Sequence, residues 1–550
     1  MIYGLILDIS GIQNYIFSSN YLKTNIGASN LIEKAFDIYL KTTIQEESLT
    51  YKNRDWNYWK EHPDEITILE EKIDVEIGYI GGGNAILLFK DEMICKTIIK
   101  NWHKMLLVKT PGLKTNLALS SIQTSSEDKP EKITYEIIGL VQKLKRKLDL
   151  NKRNETRRLI FPKLGITEDC VHTGLSSEIY MEKSLRKGDN DIYVSSTVAS
   201  KIKNAEQATI ELKEQYEKQI PQISSYQFPN NLDQLGDINS NSSNIAKSNF
   251  IAISHIDGNS IGEKFKECKT LSEVRKLSVD LENNMKTAFK ELLSHIIKNS
   301  DVFIESNSKI LPIRPIIIGG DDITFICKGI WGIYFTKFFM DRIIEKSIIG
   351  GDNISVCSGI GIVKLKYPFY RAYQLAIELC DQAKEVAKSP QETLKSDDKI
   401  GSWINYLVAN TGYTGSLNTF IEKNYITPMG CLLHRPYRVE KNQEINDYRS
   451  FHKFVEKSEE LRTDTDDYKK WSRSKLMEFQ NTLYKSQSQI DKFVTHIKHR
   501  GLKIPSYLDS PMLSENIYVD HKTPYYDLIE FLEFYPFDKL NQLGNGGQHQ

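Results

Sequence analysis

Apolar positions along this chain fall into two blocks that repeat the same order of strand and helix periods. In the second block, Phe250-Ile-Ala-Ile-Ser-His-Ile256 has the length and apolar content of a buried strand. Leu271, Val274, Leu277, Leu281, Met285, Phe289, Leu292 and Ile296 then recur at helical spacing, behind a capping-box pair of Thr270 and Glu273. Residues 312–318 and 323–327 read as a β-hairpin, 334–346 as a helix and 354–362 as a fourth strand. A last helix carries Ala372, Leu375, Leu379, Ala383 and Val386 on one side. The first block follows the same plan: strand 3–7, helix 27–43, hairpin 76–80 with 85–89, helix 92–107, strand 117–122, helix 133–148.

This is the βαββαβ, ferredoxin-like plan used by polymerase palms, present twice. The predicted fold class is therefore α+β: two ferredoxin-like domains plus a C-terminal helical domain. Residues 1–148 form the first, 149–248 a connecting region, 249–392 the second, and 393–550 the helical part. Within the connecting region, 195–216 reads as a helix and 239–244 as a polar linker. After Lys395 the chain reads as largely helical, with 471–498 the clearest long helix, charged loops around 464–467 and a disordered tail at 541–550. Trp403, Tyr406, Trp471 and Tyr484 are assigned to the core of those helices.

The hairpin tip of the second block changes the picture from fold to chemistry. Gly319-Gly320-Asp321-Asp322 places two carboxylates at a turn whose glycines admit φ > 0 and leave room above the backbone for a bulky ligand. About sixty residues earlier, the strand ending at Asp257 delivers a third acid. Clustered carboxylates suit Mg²⁺, a hard cation that bridges to substrate phosphates. Asp257 and Asp322 are the first candidates as catalytic metal ligands and Asp321 the next, with Mg²⁺ or Mn²⁺ in a two-metal nucleotidyl-transfer site. Gly319 and Gly320 would let a nucleotide lie against the turn, and Lys384 would reach its triphosphate. The bland alternative for the tip is an ordinary turn, and for Lys384 a solvated helix lysine. In the first block the tip reads Gly81-Gly82-Gly83-Asn84 and Asp8 aligns with Asp257, so the paired acids occur once. Gly82 and Gly83 are candidates for a second nucleotide contact, the plainer reading being a degenerate domain kept as a packing partner.

Charge and cysteines limit the class. Lys plus Arg and Asp plus Glu both number 72, so no global positive field draws the 550-residue chain onto nucleic acid. Locally, Lys145, Arg146, Lys147, Arg153, Arg157 and Arg158 lie in a basic run that is the best candidate for RNA or phosphate contact. A solvated helix end is the commoner meaning of such a run. Seven cysteines show no C-x-x-C pair, which fits reduced thiols in a cytoplasmic protein. No apolar run reaches the roughly 18 residues of a membrane span. His255 shares a strand face with Asp257 and is read as a packed histidine.

With these motifs in hand, the chain resembles the Cas-ten family, the large polymerase/cyclase-like subunit of type III CRISPR systems. The resemblance rests on Asp8-Ile-Ser-Gly-Ile-Gln13, Gly27-Ala-Ser29, Gly81-Gly-Gly-Asn84, Asp257-Gly-Asn-Ser-Ile-Gly262 and Gly319-Gly-Asp-Asp322. It continues through Tyr367-Pro-Phe-Tyr370, Ala383-Lys384 and Arg435-Pro-Tyr437. It implies two palm domains, the second converting ATP to cyclic or linear oligoadenylate second messengers that act on a downstream effector. It also implies that Gly258, Asn259 and Ser260 line the nucleotide pocket, and that RNA or other CRISPR-like subunits are partners. The first palm begins at Met1, so the family's HD nuclease domain and its DNase activity are not expected. Cys170-Val-His-Thr-Gly-Leu175 resembles a zinc-ribbon remnant with too few ligands, so no zinc is expected. Two other readings stand beside this one: a non-catalytic structural subunit, and a cyclase for a different cyclic nucleotide.

Overall fold

The computed structural model describes residues 1–123, 130–154, 165–182, 192–236, 249–306, 308–346, 348–349, 352–389, 400–409, 415–440, 449–464, 469–505, 517–518 and 521–545. The 239–244 linker, residues 465–467 of the charged loop, Arg157 and Arg158 lie outside them. The chain divides into two compact units. Unit one comprises Met1–Pro221, Ser260–Lys286 and Ile316–Asp321; unit two comprises Gln222–Asn259, Thr287–Pro315 and Asp322–Gln550.

In unit one, β1 (Ile2–Ser10), α1 (Leu22–Lys34), β2 (Val75–Gly81), β3 (Asn84–Phe89), α2 (Glu92–Lys109), β4 (Lys114–Ile122) and α3 (Pro130–Arg153) follow the predicted order. The sheet order is β2-β3-β1-β4, the ferredoxin-like arrangement. Leu5, Leu7, Ile86 and Leu88 of the central strands pack with Trp102 of α2 and Leu140 and Leu144 of α3 in one core. The predicted 195–216 helix is α4 (Ser196–Glu217), whose N-terminus is capped by the Ser195 side chain accepting from the Val198 amide. Cys170 is buried in a small apolar cluster with Met181, Val194 and Val198, and the His172 ring stacks on Tyr21. The remnant segment therefore packs by apolar contact and ring stacking.

The second sheet is built from β5 (Phe250–Gly258), β6 (Ile313–Gly319), β7 (Asp322–Lys328) and β8 (Val356–Lys364), with helices α5 (Leu271–Lys298), α6 (Gly332–Lys346) and α7 (Phe369–Ala387). Thr270 Oγ1 accepts from the Glu273 amide at 3.1 Å, while the Glu273 carboxylate accepts from Lys269 rather than Thr270. The capping box is thus shifted by one residue on its return arm. Two further strands, β9 (Trp403–Ala409) and β10 (Tyr437–Arg438), extend the sheet to the order β10-β9-β8-β5-β7-β6.

The strand β9 corrects the helical reading of the region after Lys395. It pairs parallel to β8, and all seven of its residues are buried. A strand covered on both faces is continuously apolar and shows no alternation. Trp403 and Tyr406 are therefore buried in a strand, while Trp471 is buried and Tyr484 is exposed. The predicted 471–498 helix is two helices, α8 (Arg473–Thr482) and α9 (Gln487–His499). The break lets Phe479 stack on Phe493 at 5.4 Å. Within the tail, residues to Asn545 are helical as the end of α10 (Phe537–Asn545).

Candidate functional site

Four residues on β5 and β7 define one sheet face. In the antiparallel register His255 opposes Thr324 and Asp257 opposes Asp322, so all four side chains project the same way. His255 Nδ1 and Thr324 Oγ1 are 3.0 Å apart. Burial pulls the imidazole down to about 4, so His255 is a neutral, packed residue, as the oxygen preference of Mg²⁺ led us to expect.

The helix α7 covers this face because β8 lets it come close. A Cβ at Gly359 would fall 2.0 Å from the Ala376 carbonyl oxygen, so only glycine admits the helix at that depth. Two side chains of α7 result from this placement. Tyr373 meets the edge of His255 with ring centroids 6.1 Å apart. Burial first, then the charges of Asp322 and Asp257, push its phenol upward. Lys384 Nζ donates to Asp257 Oδ2 at 2.5 Å. Burial alone would lower the Lys384 ammonium, but the charge of Asp257 and the hydrogen bond to it prevail and raise it.

At the hairpin tip, Gly320 carries the turn, with φ +54°, and Gly319 does not have a positive φ. The expectation that both glycines supply left-handed backbone is corrected to Gly320 alone. Gly319 ends its strand, and a Cβ built there meets no atom within 4 Å. Asp321 and Asp322 are both half-buried. Gly258 is buried and pairs with Val356 across the sheet. Asn259 is 4% exposed; its backbone amide donates to the Ser355 carbonyl, and its side-chain amide to Ser355 Oγ and the Gly401 carbonyl. It holds the loop after β5 in place. Ser260 has φ +55° and precedes a short helix, Ile261–Glu267.

The first sheet repeats the register with different side chains. Asp8 opposes Asn84 as Asp257 opposes Asp322. Asp8 Oδ2 accepts from Ser10 Oγ at 2.7 Å and pairs with Lys152 of α3 at 2.9 Å, while Tyr79 donates to Asn84 Oδ1. Gly82 and Gly83 form the turn with φ +57° and +78°; Gly82 is open above, and a Cβ at Gly83 would strike Ile12. The lysine at the end of each closing helix thus holds the aspartate at the end of each first strand. Sequence reasoning missed this second Lys–Asp pair, although aligning the closing helices of the repeat would have found it.

The basic run on α3 divides by environment. Lys145 is half-buried over the Phe265 ring, and burial lowers its ammonium. Lys147 donates to the Leu119 carbonyl and Ser120 Oγ. Arg146 and Arg153 are exposed. No helix among the described residues is long and apolar enough to cross a membrane.

Mg²⁺ characteristically takes one or two carboxylates and completes its shell with water and substrate phosphates. Asp257 and Asp322, facing each other across paired strands, offer such a donor pair. Among the described residues, no group of three His, Cys, Asp or Glu side chains is gathered as a closed metal cage.

Residues 250–391 match the family described as Cas10/Cmr2, second palm domain. This segment is similar to a Cas10-family palm. Solved structures similar to the chain include Csm1 in T. onnurineus, 12% identical with a TM-score of 0.48 over 97% of this chain and 69% of that one. The Csm1–Csm4 cassette in complex with pppApA is 13% identical with a TM-score of 0.49, covering 96% and 69%. The same cassette in complex with cA4 gives 13% and 0.48, covering 97% and 70%. No curated protein matches the chain. Asp257 and Asp322, at the facing strand ends described above, both lie within the matched segment.

Proposed function

We propose that this chain is a metal-dependent nucleotidyltransferase of the GGDD palm type. Its reaction converts ATP to cyclic or linear oligoadenylates with release of pyrophosphate, in a type III CRISPR-like antiviral defence. The observation that carries this reading is the facing pair Asp257 and Asp322 within a Cas10-family palm. Two carboxylates directly opposite on neighbouring strands are unfavourable for folding, so a functional reason for keeping both supports the reading.

Asp257 and Asp322 would hold Mg²⁺ or Mn²⁺, with Asp321 as a further oxygen donor at the tip. A metal held there would supply Lewis-acid polarisation of the α-phosphate and offset the charge on departing pyrophosphate. A ribose hydroxyl oxygen bonds to the α-phosphorus, the bond to pyrophosphate breaks, and the hydroxyl proton is released. The protein's part is positional. The bare backbone at Gly319 admits a nucleotide against the strand, and Lys384 offers a point charge to the triphosphate. Neutral His255 and Thr324 form a rigid floor beneath the acids.

The test is incubation of the purified protein with each radiolabelled NTP and Mg²⁺ or Mn²⁺, products being resolved by mass spectrometry. Oligoadenylate should form and should vanish in an Asp321→Ala, Asp322→Ala variant. Product that persists in the variant removes the metal assignment, and a guanine-containing product changes the substrate. No product with any NTP, even with RNA added, leaves a structural subunit. Co-purification of a small RNA or of other subunits identifies the partners.

A further inference from the structure

The repeated Lys–Asp contact says more about Lys384 than a triphosphate contact would. In unit two, Lys384 Nζ lies 2.5 Å from Asp257 Oδ2, with the side chains 21% and 28% exposed. In unit one, Lys152 Nζ lies 2.9 Å from Asp8 Oδ2, with the side chains 38% and 9% exposed. The first palm has Asn84 where the second has Asp322, and so lacks the facing carboxylates. The lysine thus recurs where the facing carboxylates do not, so its contact with the aspartate does not depend on them. What the two palms share is the aspartate, so the common role of the lysine is to neutralise that aspartate inside the fold.

We propose that Lys384 is a built-in counter-ion that competes with the divalent metal for Asp257, released onto the nucleotide only when metal and triphosphate arrive together. This rests on the reading of Asp257 and Asp322 as metal ligands. A cation binding Asp257 either displaces the ammonium hydrogen-bonded to Oδ2 or binds beside it, with the ammonium close by in both cases. Either arrangement weakens metal binding in the absence of nucleotide. A triphosphate removes the penalty by giving the displaced ammonium a new anion. Metal is thereby held off the empty site, and the acids avoid mutual repulsion while they wait.

The test is Mn²⁺ titration of the full chain without nucleotide, followed by the loss of the free-ion EPR signal. Lys384→Met should bind Mn²⁺ at least about tenfold more tightly than the wild type, since one positive charge has been removed from contact with the ligand. Asp257→Asn should lose the site, and Lys152→Met should leave Mn²⁺ affinity at the wild-type value. Unchanged or weaker Mn²⁺ binding by Lys384→Met overturns the proposal, whatever its effect on product formation. If product still forms in the wild type, only the counter-ion role has failed. If Asp257→Asn binds Mn²⁺ as well as the wild type and neither makes product, the metal-ligand reading has failed first.

Discussion

Replacing Gly319 by alanine separates folding from chemistry at the hairpin tip. The added methyl group meets no protein atom within 4 Å, and the backbone at this position has no positive φ. Alanine should therefore leave the fold intact, and the reduced freedom of its unfolded chain should stabilise it by up to about 1 kcal/mol. The neighbouring position behaves differently. Gly320 sits at φ +54°, so Gly320→Ala should lose roughly 1–2 kcal/mol from the left-handed strain alone. If a nucleotide lies against the strand end, the methyl at 319 occupies its space and shifts it by about an ångström. Displacements of that size lower rates by around 10²-fold. Urea midpoints and the rate of oligoadenylate formation should thus dissociate: an unchanged or raised midpoint for Gly319→Ala, with a rate lower by about 10- to 100-fold. Full activity in Gly319→Ala would refute the idea that the nucleotide approaches this backbone, and a fall in its midpoint would refute the open space.

Other expectations follow from buried charge. Arg435 is fully buried against Asp527 and Glu530, so Arg435→Met strands two carboxylates and should destabilise unit two by about 3–5 kcal/mol in a urea titration. A loss below about 1 kcal/mol would contradict the pairing. Burial, aided by Arg449 and Lys522, holds His434 down to about 3, and burial, aided by Arg342 and Lys298, holds His295 down to about 4. Both imidazoles have an unfolded value near 6.5. Between pH 6.5 and about 4 the unfolded chain therefore binds up to two more protons than the native one. Stability is complete above pH 6.5 and is lost as pH falls through that window, by up to about 2.7 kcal/mol per unit. His295→Phe should roughly halve that slope in melting curves taken between pH 4.5 and 7; an unaltered slope would show that His295 takes no part.

Both sheets were legible because their strands are long apolar runs in a repeated order, and because the acidic tip marks one hairpin of the pair. That the acids lie at neighbouring strand ends was legible too, whereas the register that sets Asp257 opposite Asp322 came from the structure. What was missed shares a physical cause: periodicity is silent where burial is complete or where the deciding contact is remote in sequence. The strand β9 has no polar face to alternate with, so its Trp and Tyr were read as helix core. The break between α8 and α9 lies in a stretch whose apolar spacing runs on, and only the stacking of Phe479 on Phe493 shows why the chain turns back. The contacts of the Asn259 amide, to Ser355 and Gly401, are likewise remote in sequence and were not legible.

Charge counting explains why a shared scaffold yields one candidate catalytic palm and one without a carboxylate pair. In the first palm, Asp8 and Lys152 cancel, and Asn84 contributes no charge while accepting from Tyr79. In the second, Asp257 and Lys384 cancel while Asp322 adds a negative charge on the same face, with Asp321 beside it. The first arrangement is complete as folded, and a divalent cation would add positive charge to a neutral group. The second differs by one carboxylate, Asp322, directly opposite Asp257. A single difference, amide against carboxylate at equivalent strand positions, therefore distinguishes the two faces, and on the proposed reading it supplies the second palm's other metal ligand.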